Sequence, residues 1–141
     1  MPYCIQDDLL KLIPERDLAD ITAEAGDIPD ATVVAEAITA AGGEIDSYLG
    51  KRYQVPLAPV PDQVKALAVD LTLYRLYSRR SLAPEVRRQR YEDAIRFLKD
   101  VAQGRAVITG ATGLEEPSVQ QEVTEVSSAE RVFSREKMRG W

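Results

Sequence analysis

Residues 64–77, "VKALAVDLTLYRLY", decide the fold, because Val64, Leu67, Val69, Leu71, Leu73, Tyr74, Leu76 and Tyr77 put apolar side chains on almost every side of one helix. An ordinary surface helix carries a single apolar stripe; one that is apolar nearly all round must be covered by other helices or another subunit. Lys65, Asp70 and Arg75 interrupt the run, so it does not read as a bilayer span. This is therefore the central helix, of about 61–80. Pro61 supplies its start, since the preset φ of proline suits the first turn and its missing N–H is not needed there.

The elements around it are also helical. Val34, Ile38, Ala41, Ile45 and Tyr48/Leu49 recur at spacings of four and three, an amphipathic stripe over about 31–50 with Asp30 as its N-cap and Gly50 as its C-cap. Gly42 and Gly43 interrupt it, each worth about 1 kcal/mol of lost helix propensity; they imply either a kink or close backbone packing. "QDDLLKLIPERDLADIT" (6–22) reads as two short helices broken at Pro14, with Leu9, Leu10, Leu12, Ile13, Leu18 and Ile21 on the buried side. "EAGDIPD" (24–30) is a loop. Prolines 56, 59 and 61 forbid a regular helix between Gly50 and Pro61. After "SRRSLAP" (78–84), a last helix runs over about 84–103, with Tyr91, Ala94, Ile95, Leu98, Val101 and Ala102 as its stripe and Gly104 as its stop. The expected fold is all-α, a bundle of about four to five helices over residues 1–104. Residues 105–141 form an extended C-terminal arm in which Val119, Val123 and Val126 are too sparse for a core helix and "EVTEV" (122–126) and "RVFS" (131–134) have strand composition.

A chain of 141 residues suits one core. The N-terminus lacks the basic and apolar regions of a signal peptide, and no apolar run is long enough to span a bilayer. The single cysteine, Cys4, cannot close an internal disulfide and reads as a small buried hydrophobe. There is no histidine, which removes serine–histidine and cysteine–histidine nucleophile systems and the commonest metal ligand. "GATG" (110–113) has neither the P-loop lysine nor the dinucleotide spacing. No residue reads as catalytic, cofactor-binding or metal-ligating.

Charge is divided along the chain. Residues 1–50 carry eleven acids against Lys11 and Arg16, net −9. Residues 51–110 carry twelve bases against six acids, net +6. Two such surfaces on one small domain either attract each other between copies, head to tail, into rings or filaments, or are two solvated helical faces. Arg79, Arg80, Arg87, Arg88 and Arg90 have the density of a phosphate-binding surface, but the whole chain is acidic (net −5), unlike a dedicated DNA-binding domain. A solvated or inter-subunit basic surface is the better reading; a small regulatory or nucleic-acid-binding helical protein is the alternative. The end of the chain, "RVFSREKMRGW" (131–141), holds the only tryptophan and one of two phenylalanines. Phe133, Met138 and Trp141 read as anchors for a partner, and Arg131, Arg135 and Arg139 as pairing groups for an acidic surface, the 1–50 segment of a neighbouring copy first.

Five stretches taken together carry a resemblance: "YCIQDDLLKLIPERDLADIT" (3–22), "EIDSYLGKRYQVPL" (44–57), "PVPDQVKALAVDLTLYRLYSRR" (59–80), "RYEDAIRFLKDVAQGRA" (90–106) and "FSREKMRGW" (133–141). The chain resembles a family of small head proteins of Mu-like phages and prophages and, more broadly, the head–tail connector (adaptor) proteins of tailed phages. Residues 105–130 match no named pattern. The resemblance implies a helical bundle with a C-terminal arm that forms a ring, dodecameric in the virion, below the portal protein. Packaged DNA would pass through that ring without sequence-specific binding, and a tail-completion (stopper) protein would attach to it. The implied location is the head–tail junction of the virion, with the host cytoplasm before assembly, and the chain when free is a monomer or weak oligomer.

Overall fold

The central helix is α4, Asp62–Arg79, and it touches each of the other four helices: α1 (Gln6–Leu10), α2 (Glu15–Thr22), α3 (Ala31–Leu49) and α5 (Glu85–Ala102). The computed structural model describes residues 2–111, and among these there are five helices and no strand. The arm readings from Val119 onward, including both strand-like stretches and the aromatic end, lie outside the described residues. Val64, Leu71, Leu73 and Leu76 are fully buried around α4 together with Thr72, which turns its hydroxyl back onto the Ala68 carbonyl at 2.7 Å. A hydroxyl satisfied within its own helix can sit in an apolar core without an unpaired polar group.

Local chemistry sets each boundary. Asp30 caps α3 by accepting from the Thr32 and Val33 amides at 3.0 and 3.3 Å. Pro14, Pro61 and Pro84 stand at the N-caps of α2, α4 and α5. At the far end of α5, Gly104 takes φ +82°, its amide donates to the Val101 carbonyl at 3.0 Å, and the Arg105 amide donates to the Asp100 carbonyl at 2.8 Å. That pair of bonds is a Schellman closure, which needs a residue at positive φ and so favours glycine.

α3 runs unbroken through Gly42 and Gly43. A Cβ on Gly42 would meet only the Tyr3 ring, at 3.8 Å, and one on Gly43 would meet nothing within 4 Å. No helix presses on the two glycines, so the close-packing reading does not hold; they leave a thin stretch on the outside of α3. The stripe of α3 is buried as expected at Val34, Ile38, Ala41, Ile45 and Leu49. Leu12 is the exception among the N-terminal residues. It is half exposed because it falls in the turn between α1 and α2, beyond the buried side of either. Past Gly104, Ile108 is buried against the core, and Ala106 and Ala111 pack beside it.

Candidate functional site

Three polar constellations and one groove distinguish the described surface. The first joins the long helices. Glu44 on α3 accepts from Arg75 of α4 at 2.7 Å and from the Tyr91 hydroxyl of α5 at 2.9 Å, and Tyr91 stacks on Tyr74 with ring centroids 4.3 Å apart. Burial first, and then the hydrogen bond to the Glu44 carboxylate, push the Tyr91 hydroxyl up to about 12. One carboxylate thus ties three helices.

The second fixes the N-terminal segment. The Tyr3 hydroxyl donates to Asp46 of α3 and accepts from the Leu57 amide at 3.0 Å. Burial, reinforced by the bond to Asp46, raises Tyr3 to about 12. Tyr53 has the same role for the other end of the domain, accepting from the Ile108 amide at 2.9 Å. Cys4 is buried, as read from its sequence position, and burial raises its thiol so that little of the reactive thiolate form is present.

The third constellation is the arginine set, and the structure disperses it. Arg79 and Arg80 turn toward the end of α2, donating to the Ile21 carbonyl at 3.3 Å and the Ala23 carbonyl at 2.7 Å. The last carbonyls of a helix have no partner of their own and sit at its negative end, so two guanidinium groups there act as a cap. Arg88 is engaged by Glu85 one turn earlier, at 2.6 Å. Arg87 and Arg90 lie near Asp70, whose carboxyl is raised by burial and lowered by those two cations. The five arginines therefore serve three separate tasks and do not converge on one phosphate-sized point. Glu44, Tyr91 and Tyr3 were not singled out from the sequence, where each is one acid or one tyrosine among many.

The groove lies between residues 2–6 and the outward face of α3, with a volume of about 610 Å³, and ends against Pro56. Its lining is mostly apolar, and Asp46 is its one charged member. Among the described residues no three His, Cys, Asp or Glu side chains group as a metal site, and no helix is long and apolar enough to cross a membrane. The sequence-predicted anchors Phe133, Arg135, Met138, Arg139 and Trp141 lie outside the described residues.

Comparison with known proteins places this surface in context. Residues 3–127 match the family described as "Bacteriophage Mu, Gp36". Over 141 residues the chain is 34% identical to the "Mu-like prophage FluMu protein gp36" of Haemophilus influenzae, an alignment that covers 99% of this chain and 97% of that relative.

Proposed function

The chain belongs to the Bacteriophage Mu, Gp36 family and is a phage protein, and from that premise we propose that it is a structural head–tail connector. Copies assemble as a ring below the portal protein, DNA passes through the ring, and a tail-completion protein docks on its free side. The role involves no catalysis and no cofactor, and it places the protein in the virion neck after assembly in the host cytoplasm. The carrying observation is the division of charge over one small bundle: the acids concentrate in the segment that builds α1–α3 and the bases in the segment that builds α4 and α5. A head-to-tail contact between such copies pairs unlike surfaces, and a repeated head-to-tail contact whose rotation closes on itself makes a ring.

The dispersal of the arginines supports this reading over nucleic-acid binding. Arg79 and Arg80 already cap α2, and a phosphate would have to compete with those bonds. The bases along α5 (Arg87 and Arg90 near Asp70, Arg96 bonded to Asp93 at 3.2 Å, and Lys99) make a basic helix side suited to an acidic neighbour. The end of the chain, with Phe133, Arg135, Met138, Arg139 and Trp141, is the assembly contact to the next subunit or to the portal. Negative-stain imaging of the protein mixed with the purified portal of its own phage tests the proposal. A ring of extra density on the portal is expected. A bare portal, with DNA binding that falls steeply with salt, would overturn it in favour of a nucleic-acid-binding protein.

A further inference from the structure

Among the described residues, the outward face of α3 carries a long apolar furrow. Ala35, Thr39 and Gly42 form its floor, all small, and Ile5 forms a rim with 54% of its surface exposed. At Gly43 there is open space where a side chain would stand. A second, shallower depression continues the furrow along α3 past Glu36. The two together have acids at Asp46 and Glu36 and no lysine or arginine among their lining residues. Such a surface fits an apolar side chain of some bulk carried on a basic segment.

The chain has that segment. Residues 131–141 carry Arg131, Arg135, Lys137 and Arg139 against Glu136, net +3, together with Phe133, Met138 and Trp141. Among the described residues the core includes side chains out to Ile108. The nineteen residues 112–130 span up to roughly 60 Å when extended, enough to leave one bundle and reach the next.

We propose that residues 131–141 of a second copy dock in the furrow between residues 2–6 and α3, with Trp141 seated over Ala35 and Gly42 and the basic side chains beside Asp46 and Glu36. This rests on the connector reading and deepens it, because it names the receptor for the chain end. A tryptophan packed into a preformed apolar pocket with arginines at its margin has the composition of an interface hot spot.

The test uses the full-length protein and a fluorescein-labelled peptide of residues 131–141. At dilutions where the protein is dispersed, fluorescence anisotropy is expected to show saturable binding. That binding weakens roughly tenfold or more when the peptide carries Trp141→Ala or the protein carries Ala35→Arg. Ala35 is exposed and arginine is a good helix former, so the variant keeps its fold, which circular dichroism verifies. In the unlabelled protein, emission from Trp141, the only tryptophan, is expected to shift to shorter wavelength as concentration rises toward millimolar, and to stay unshifted in Ala35→Arg. Absence of saturable peptide binding, indifference to Ala35→Arg, or a solvent-exposed Trp141 at every concentration would overturn the proposal. A short-wavelength emission independent of concentration would place the segment in its own groove and overturn the two-copy form. Neither measurement involves the portal, so failure here is distinguishable from failure of the connector reading, which the imaging decides.

Discussion

Tyr3 and Tyr91 each hold a phenolic proton against a carboxylate, and each is raised to about 12 from an ordinary value of 10.0 by burial and that bond. In the unfolded chain both would ionise near 10, so folding retains a proton that the open chain releases. Their contribution to stability is therefore complete below pH 10 and is lost as pH rises from 10 through 12. An alkaline titration followed by tyrosinate absorbance is expected to show Tyr3 and Tyr91 ionising late, near 12, or only on unfolding. Tyr3→Phe and Tyr91→Phe should each remove one late group; all six tyrosines titrating together near 10 would contradict the assignment. These pairs were not legible in the sequence. Tyr3 and Asp46 are 43 residues apart and Tyr91 and Glu44 are 47 apart, and no local pattern marks a pairing that exists only once the helices meet. Cys4 was legible, because a lone cysteine without partners has burial as its ordinary fate.

At the scale of the element, periodicity and punctuation were enough. The prolines at 14, 61 and 84, Asp30 and Gly104 mark helix boundaries because each acts through its own backbone geometry or a bond to the next turn. What local rules could not supply was the context of residues between elements. Leu12 is as apolar as Leu9 yet faces solvent, while Ile108, in a stretch with no helical period, is buried. Gly104 gives the sharpest test of an element boundary. Gly104→Ala would hold a side chain at φ +82° and place its Cβ 2.5 Å from the Arg52 guanidinium. Arg52 would have to shift, and the backbone strain at positive φ adds to that, so a loss of roughly 1–2 kcal/mol or more is expected in a denaturant melt. An unchanged midpoint would show that the Schellman closure is dispensable. The arginine cluster shows the same limit from the other side: five basic residues within twelve positions look like one surface on paper. The turn between α4 and α5 sends Arg79 and Arg80 to α2 and leaves Arg87, Arg88 and Arg90 on another helix.

For the whole molecule, the all-α class followed from one over-apolar helix that required cover by others, and α4 packs against all four of the other helices. The charge division was equally plain, since it is a property of composition. The groove was not, because it is made where residues 2–6 cross α3 and depends on small side chains that carry no signal of their own. Deletion of residues 131–141 is expected to leave far-UV circular dichroism and the melting transition essentially unchanged while abolishing decoration of the portal. Loss of helicity in that variant would make the segment part of the core.

The buried plug at Ile108 also has a mechanical meaning. Its amide is bonded to Tyr53 and its side chain is held in the core, four residues beyond the glycine that ends α5. A pull on the chain beyond Ala111 is therefore met first by that plug, in the body of the domain, and does not unwind α5 from its last turn. The connection is made fast like a rope to a cleat: tension arriving at Ala111 is carried by the packed bundle and not by the last turn of α5 alone.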